Sequence, residues 1–209
     1  MGARGANVVI GEPRQARLEE AATLLNDIGI KVRAMPLDVS DPKQLSDFAD
    51  EAFTAFGEVA VVINNAGIGQ ARGAVIDTPV EELQRVMAVN FEGVWRGCQE
   101  FGRRLIEQGT PAGLFNTGSE NSFFVAVSHS AAYVASKHAV CGMIKTACLE
   151  FGSSGVRFNV LAPGPTANLL MDSLHQQVNP ENPPAVEDFV KTMIPMNRYG
   201  TDGEIAQFA

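Results

Sequence analysis

Five short apolar runs, at residues 7–11, 30–37, 59–63, 113–117 and 156–162, alternate along the chain with segments of helical periodicity. Runs this short cannot bury themselves, and strand–helix alternation is satisfied by right-handed βαβ crossovers onto a parallel sheet. The pattern therefore predicts an α/β, doubly wound fold. The run at 59–63, Val-Ala-Val-Val-Ile, is continuously apolar rather than alternating, as expected of a strand covered on both faces. Leu18, Ala21, Ala22 and Leu25 recur at helical spacing, and Gly29 follows where a C-terminal cap belongs. Ser40-Asp41-Pro42 supplies a helix start, and Gly57 a stop, around the apolar face Leu45, Phe48, Ala49, Ala52, Phe53 and Phe56. A long helix over residues 78–108 carries Leu83, Val86, Met87, Asn90, Phe91 and Val94 on one side; another covers residues 131–151. Residues 179–184, rich in Asn and Pro, read as a local loop.

The 209 residues suit one domain, spanning 1–209. The net charge is −8, without a basic run, which argues against nucleic acid or an anionic membrane as partner. No apolar run exceeds five residues, against about 20 for a membrane span. Nothing in the first residues resembles a secretory leader. Cys98, Cys141 and Cys148 make no disulfide or metal framework, which fits a reducing cytoplasm and no metal site.

Ligands of such sheets bind beyond the carboxyl ends of the strands, so the residues just after each strand carry the functional information. Tyr133 and Lys137, four apart on a helix, share one face. A lysine ammonium there favours phenolate and lowers the pKa of the phenol from about 10 towards the range of a general acid–base. Ser119 lies 14 residues before the tyrosine, at the end of the 113–117 strand, and its hydroxyl could hold a substrate oxygen in the same pocket. Glu120 is closer by one, but an ionised carboxylate cannot donate. Thr117-Gly118-Ser119-Glu120-Asn121 is not a Gly-x-Ser-x-Gly elbow, which argues against a serine hydrolase. His129, four residues before Tyr133, reads as a packing or surface histidine.

Asn64-Asn65-Ala66-Gly67, Asn90 in Asn-Phe-Glu-Gly, Ser119 in Asn-Thr-Gly-Ser, Tyr133-Val-Ala-Ser-Lys137 and Pro163-Gly164 occur in an order and at separations that resemble the short-chain dehydrogenase/reductase family over essentially the whole chain. The resemblance implies a Rossmann-like domain that moves a hydride between a nicotinamide dinucleotide and a carbonyl or secondary alcohol. It implies Tyr133 as general acid–base and Lys137 as its tuner and a ligand of the nicotinamide ribose. Ser119 would polarise the substrate oxygen, and Asn90 would hold a water in the proton relay. Asn64, Ala66 and Gly67 would line the adenosine-ribose side of the cofactor cleft, and Asp38-Val39 would contact adenine. Pro163 and Gly164 would flank the nicotinamide, with Thr166 reaching its amide. Glu12, one residue past the first strand, would accept from ribose hydroxyls and favour NAD, while Arg14 could instead pair with the 2′-phosphate of NADP.

The family begins with a strand and a Thr-Gly-x-x-x-Gly-x-Gly turn that cradles the pyrophosphate. The resemblance thus implies a domain incomplete at both ends, with poor dinucleotide binding expected, or alternatively a catalytically silent scaffold. With that strand missing from its central place, two sheet edges must lie unpaired or close on each other. The apolar loop 123–127 and the segment Leu169-Leu170-Met171 flank the site and suit a small uncharged or apolar carbonyl substrate. Family members form homodimers or homotetramers through the long helices, here residues 78–108 and 131–151.

Overall fold

A computed structural model describes residues 2–123 and 127–208; Phe124, Val125 and Ala126 of the apolar loop lie outside the described residues. The elements run β1 (Val8–Glu12), α1 (Gln15–Asp27), β2 (Val32–Pro36), α2 (Pro42–Phe56), β3 (Val61–Asn64), α3 (Val80–Met87), α4 (Gly93–Gln108), β4 (Ala112–Thr117), α5 (Ala131–Phe151), β5 (Val156–Leu161), α6 (Leu169–Val178), α7 (Pro183–Met193) and α8 (Asp202–Ala206). The strand–helix alternation and the parallel pairing are those the apolar runs predict. Asp41 caps α2 by accepting from the Lys43 and Gln44 N–H groups, with Pro42 at the first helical position. Gly57 ends the helix at φ +85°, a conformation costly for any residue with a Cβ.

Pairing falls into two ladders. β1 pairs with β2, Val8 opposite Val32, and β3–β4–β5 form a second parallel sheet, with Val61 opposite Gly113 and Ala112 opposite Val156. β1 and β3 are not hydrogen-bonded to each other, so of the two sequence expectations for these edges the unpaired arrangement holds. The expectation that β3 is covered on both faces does not. Val62 is buried, but Val61 and Ile63 are 38% and 45% exposed, because one face of this edge strand has no neighbour packed over it. Helices span the break. Phe101 of α4 meets Phe48 edge-on at 6.2 Å and stacks with Phe53 at 6.3 Å, both on α2. The buried core beneath includes Leu105, Leu114, Val140, Ile144 and Val156.

The helix expected over residues 78–108 is interrupted. α3 and α4 are separated by a π-helical turn, Ala88–Glu92, which carries Asn90. Such wide turns break regular i→i−4 pairing and re-aim a side chain. Nor is 179–184 wholly loop: Asn182 accepts from the Ala185 N–H and Pro183 opens α7. The segment Leu169–Met171 is the first turn of α6, capped by Asn168, which accepts from the Leu170 and Met171 N–H groups. This helical excursion is tied back to the site by a bridge of Thr166 to Gly200 and by a buried pair, His175 Nε2 to Tyr199 Oη at 2.8 Å.

Candidate active site

The ends of β3, β4 and β5 and the N-terminal half of α5 converge on one cleft. α5 places Tyr133 and Lys137 one turn apart, with the Lys137 Nζ 5.8 Å from the centre of the tyrosine ring. Lys137 is 3% exposed, and its Nζ donates to the Thr117 carbonyl oxygen at 2.7 Å, tying α5 to the end of β4. Ser119, two residues further on, is buried beside Tyr133 and favours the phenolate form.

The electrostatic balance differs from the sequence expectation. Burial pushes the Tyr133 phenol up, Ser119 pulls it down, and the Glu120 carboxylate pushes it up further. Lys137 is itself driven down to about 8 by burial. Desolvation, not the ammonium, is the largest influence on the phenol, and it disfavours the charged form of both groups. The phenol is held protonated at neutral pH. Glu120 is also raised by burial, and its carboxylate faces Gly164.

Two amides fix the cleft. Asn90 is fully buried: its Oδ1 accepts from the Ile68 N–H at 2.8 Å, and its Nδ2 donates to the Ile68 oxygen and to Ser136 Oγ. It clamps the turn after β3 against α5. A Cβ on Gly67 would lie 3.5 Å from both Asn90 Oδ1 and Lys137 Nζ, so this turn passes directly over the lysine. Gln70 was not singled out in the sequence. Its Oε1 accepts from the Tyr133 N–H at 3.0 Å and its Nε2 donates to the His129 oxygen, so one buried side chain holds the start of α5. Asn121, also missed, donates to Ser119 Oγ. No periodicity marks either residue; only the long-range fold brings Gln70 to α5. His129 sits at φ +64° with its ring on Ser128, in the turn that Gln70 holds.

The residues expected at the cofactor are placed unevenly. Pro163 accepts from the Glu120 N–H and Gly164 from the Thr166 hydroxyl, so both lie at the mouth beside Glu120. Thr166 is buried with its hydroxyl spent on that carbonyl, not presented outward. Ala66 and Gly67 follow β3 at the cleft. Asn64 instead knits the sheet: its Nδ2 donates to Asn116 Oδ1 at 2.9 Å, and Asn116 donates on to the Asn159 oxygen. Asn65 Oδ1 accepts from the Thr117 hydroxyl. Asp38 is occupied by the Ser40 N–H and hydroxyl, and Val39 packs where Gly93 lacks a side chain. Glu12 is gripped by Arg14 through Nε and Nη2, and this pairing holds the carboxyl below its usual range.

A nicotinamide ribose fits the inner end of this site. Among the described residues the buried Lys137 ammonium has one acceptor for its three N–H groups, and the side-chain-free Gly67 leaves open approach to it. Among the described residues no helix is long and apolar enough to cross a membrane, and no group of three or more His, Cys, Asp or Glu could hold a metal ion.

Comparison with known proteins agrees with this geometry. The family model described as enoyl-(acyl carrier protein) reductase matches residues 1–209. Levodione reductase of Leifsonia aquatica is 30% identical over 209 residues, covering 99% of this chain and 77% of that protein. A crystal structure of levodione reductase superposes with a TM-score of 0.93 at 28% identity, covering 99% of this chain and 80% of that one. The probable oxidoreductase EphD of Mycobacterium tuberculosis is 37% identical over 160 residues, 77% of this chain but 27% of that protein, so the chain spans about a quarter of that relative. A gluconate 5-dehydrogenase from Burkholderia cenocepacia, solved with NADP and tartrate, gives a TM-score of 0.86 at 27% identity, covering 99% of this chain and 77% of that one. The Ser119–Tyr133–Lys137 cleft at the ends of a parallel sheet, and a match that runs the length of the chain, place this protein in the short-chain dehydrogenase/reductase family.

Proposed function

We propose that this protein interconverts a carbonyl and a secondary alcohol, using a nicotinamide dinucleotide as hydride donor or acceptor. The observation that carries the reading is the convergence of a half-buried phenol, a buried hydroxyl and a buried ammonium at one strand end. When bound, a nicotinamide dinucleotide would supply the hydride that the carbonyl carbon takes up in reduction. Tyr133 gives its proton to the carbonyl oxygen, which Ser119 steadies by donating a hydrogen bond. Lys137 then faces a phenolate and stabilises it, and its unused N–H groups suit the ribose hydroxyls. Asn90 keeps the turn after β3 closed over the lysine and would hold the relay water, while Pro163 and Gly164 flank the nicotinamide. Burial raises the Tyr133 phenol, so at neutral pH it stands ready as the acid of the reduction step.

The adenosine end would be met by Glu12, Asp38, Val39, Ala66 and Gly67, with the Asn64 side chain behind them holding the sheet. Glu12 favours NAD, and NADP binding requires Arg14 to exchange its carboxylate partner for the 2′-phosphate. The substrate is a small uncharged or apolar carbonyl: the Glu120 carboxylate beside Tyr133 repels a substrate anion. Trp95 on α4 and Leu149 on α5 are exposed apolar side chains, which supports a homodimer or homotetramer built on these helices. A cytoplasmic location fits the reduced cysteines. The test is NAD(P)H oxidation against a panel of ketones. Turnover by the wild-type chain that Tyr133→Phe abolishes is the expected result, and retained turnover in that variant removes the tyrosine from its role.

A further inference from the structure

Ser119 Oγ receives two hydrogen bonds from a single residue. The Asn121 backbone N–H donates to it at 3.2 Å, and so does the Asn121 side-chain Nδ2, also at 3.2 Å. The serine backbone is held separately, its N–H donating to Ser122 Oγ at 3.0 Å. A hydroxyl has two acceptor sites and one proton. With both acceptor sites filled from the Asn121 side, the proton is left to point the other way, towards Tyr133 and the position of the carbonyl oxygen.

We propose that Asn121 is a positioning residue that fixes Ser119 as a hydrogen-bond donor into the active site. Without the side-chain amide, one lone pair of Oγ is free, and the hydroxyl can turn so that it accepts from Tyr133 instead of donating. Such a serine competes with the substrate oxygen for the phenolic proton. The second observation is a cost. Among the described residues the Oδ1 of Asn121 is buried with no donor partner, so the amide is not held for its own satisfaction. Buried polar atoms are nearly always paired, and an exception calls for an explanation. The short turn Glu120–Ser122 is closed without the amide: the Ser119 N–H donates to Ser122 Oγ and the Ser122 N–H to the Ser119 carbonyl oxygen.

This assignment rests on the roles given above to Ser119 and Tyr133, so its test is read first without turnover. Tyr133 and Tyr199 are the only tyrosines. In a Tyr199→Phe background, the near-ultraviolet absorbance of ionised tyrosine reports Tyr133 alone. Asn121→Ala is expected to move the ionisation midpoint of Tyr133 to higher pH, because the donated hydrogen bond that favours phenolate is lost. In a Ser119→Ala background, the same change at residue 121 should move nothing. In catalysis, Asn121→Ala should lower kcat for ketone reduction by about tenfold, the typical worth of one hydrogen bond, with KM little altered. Asn121→Asp has nearly the same shape, so it folds where alanine does not. Having only acceptors, it draws the serine proton towards itself and should slow reduction at least as much. An unmoved midpoint in Asn121→Ala, equal shifts with and without Ser119, or a wild-type rate in Asn121→Asp overturns the proposal. Coupled midpoints in a chain that reduces no ketone would instead retire the dehydrogenase reading and leave this assignment standing.

Discussion

Lys137 donates to the carbonyl oxygen of Thr117 at 2.7 Å, and this single bond is the anchor of an ammonium that burial holds down at about 8. A lysine depressed in the folded state costs stability wherever it must stay charged. That cost is fully present below pH 8 and is relieved as pH rises from about 8 towards the unfolded value of 10.5, where the unfolded chain keeps a proton that the folded one has released. Lys137→Met should therefore be more stable than wild type at pH 7, by about 1–3 kcal/mol, and the difference should shrink above pH 8. Denaturant unfolding of both proteins across this pH range checks it. The same variant should lose turnover, since the one ammonium beside the phenol is then gone and only Ser119 favours the phenolate.

Removing the phenol should act on chemistry alone. Tyr133→Phe is expected to lower kcat by roughly 10²–10⁴-fold, with unfolding and dinucleotide affinity near wild type. Single-turnover kinetics with a fixed ketone, beside cofactor titration, separate the two.

Glu120 sets the charge seen by the substrate. Its carboxylate raises Tyr133, so Glu120→Gln should move the alkaline limb of the pH–rate profile to lower pH. The same variant should accept 2-oxo acids better relative to neutral ketones, because a repelling anion is gone. A profile and a substrate ratio both unchanged would place Glu120 outside the substrate's reach.

The cofactor preference turns on an ion pair. Arg14 donates to both oxygens of Glu12, so it competes with ribose hydroxyls for the carboxylate. Arg14→Ala should raise the ratio of NAD to NADP affinity, and Glu12→Ala should lower it. Fluorescence titration with each reduced cofactor gives both ratios.

Gly97 is a packing requirement of the sheet. A Cβ there would lie 2.9 Å from Cγ of Asn64, whose amide bonds Asn116 at 2.9 Å. Gly97→Ala must push Asn64 aside and leave the fully buried Asn116 short of a partner, at a cost of about 1–3 kcal/mol by thermal unfolding.

The strands and the helix at residues 131–151 were legible because each is written in local signals, apolar runs and helical periodicity, and the pairing of Tyr133 with Lys137 on one helix face follows from a spacing of four. What stayed hidden depends on contacts across the fold. Asn64 reads by its motif as lining the cofactor cleft, yet its side chain answers to Asn116, 52 positions away. The π turn at Asn90 follows from clamping Ile68, which no periodicity in residues 78–108 encodes. The sign of the Tyr133 shift was misread because spacing reveals a charged neighbour but not desolvation, and burial is the larger effect here.

The break between the β1–β2 ladder and the β3–β4–β5 ladder makes aromatic side chains, not backbone pairing, the joint between the two parts. Phe101 against Phe48 and Phe53 carries that joint. A seam closed by side chains alone parts at lower free energy than a continuous ladder. Amide protons of β1 and β2 are therefore expected to exchange with solvent sooner than those of β4, and Phe101→Leu should widen the gap. The half of the molecule that carries Glu12 and Asp38 would then breathe while the half that holds the phenol and the ammonium stays shut.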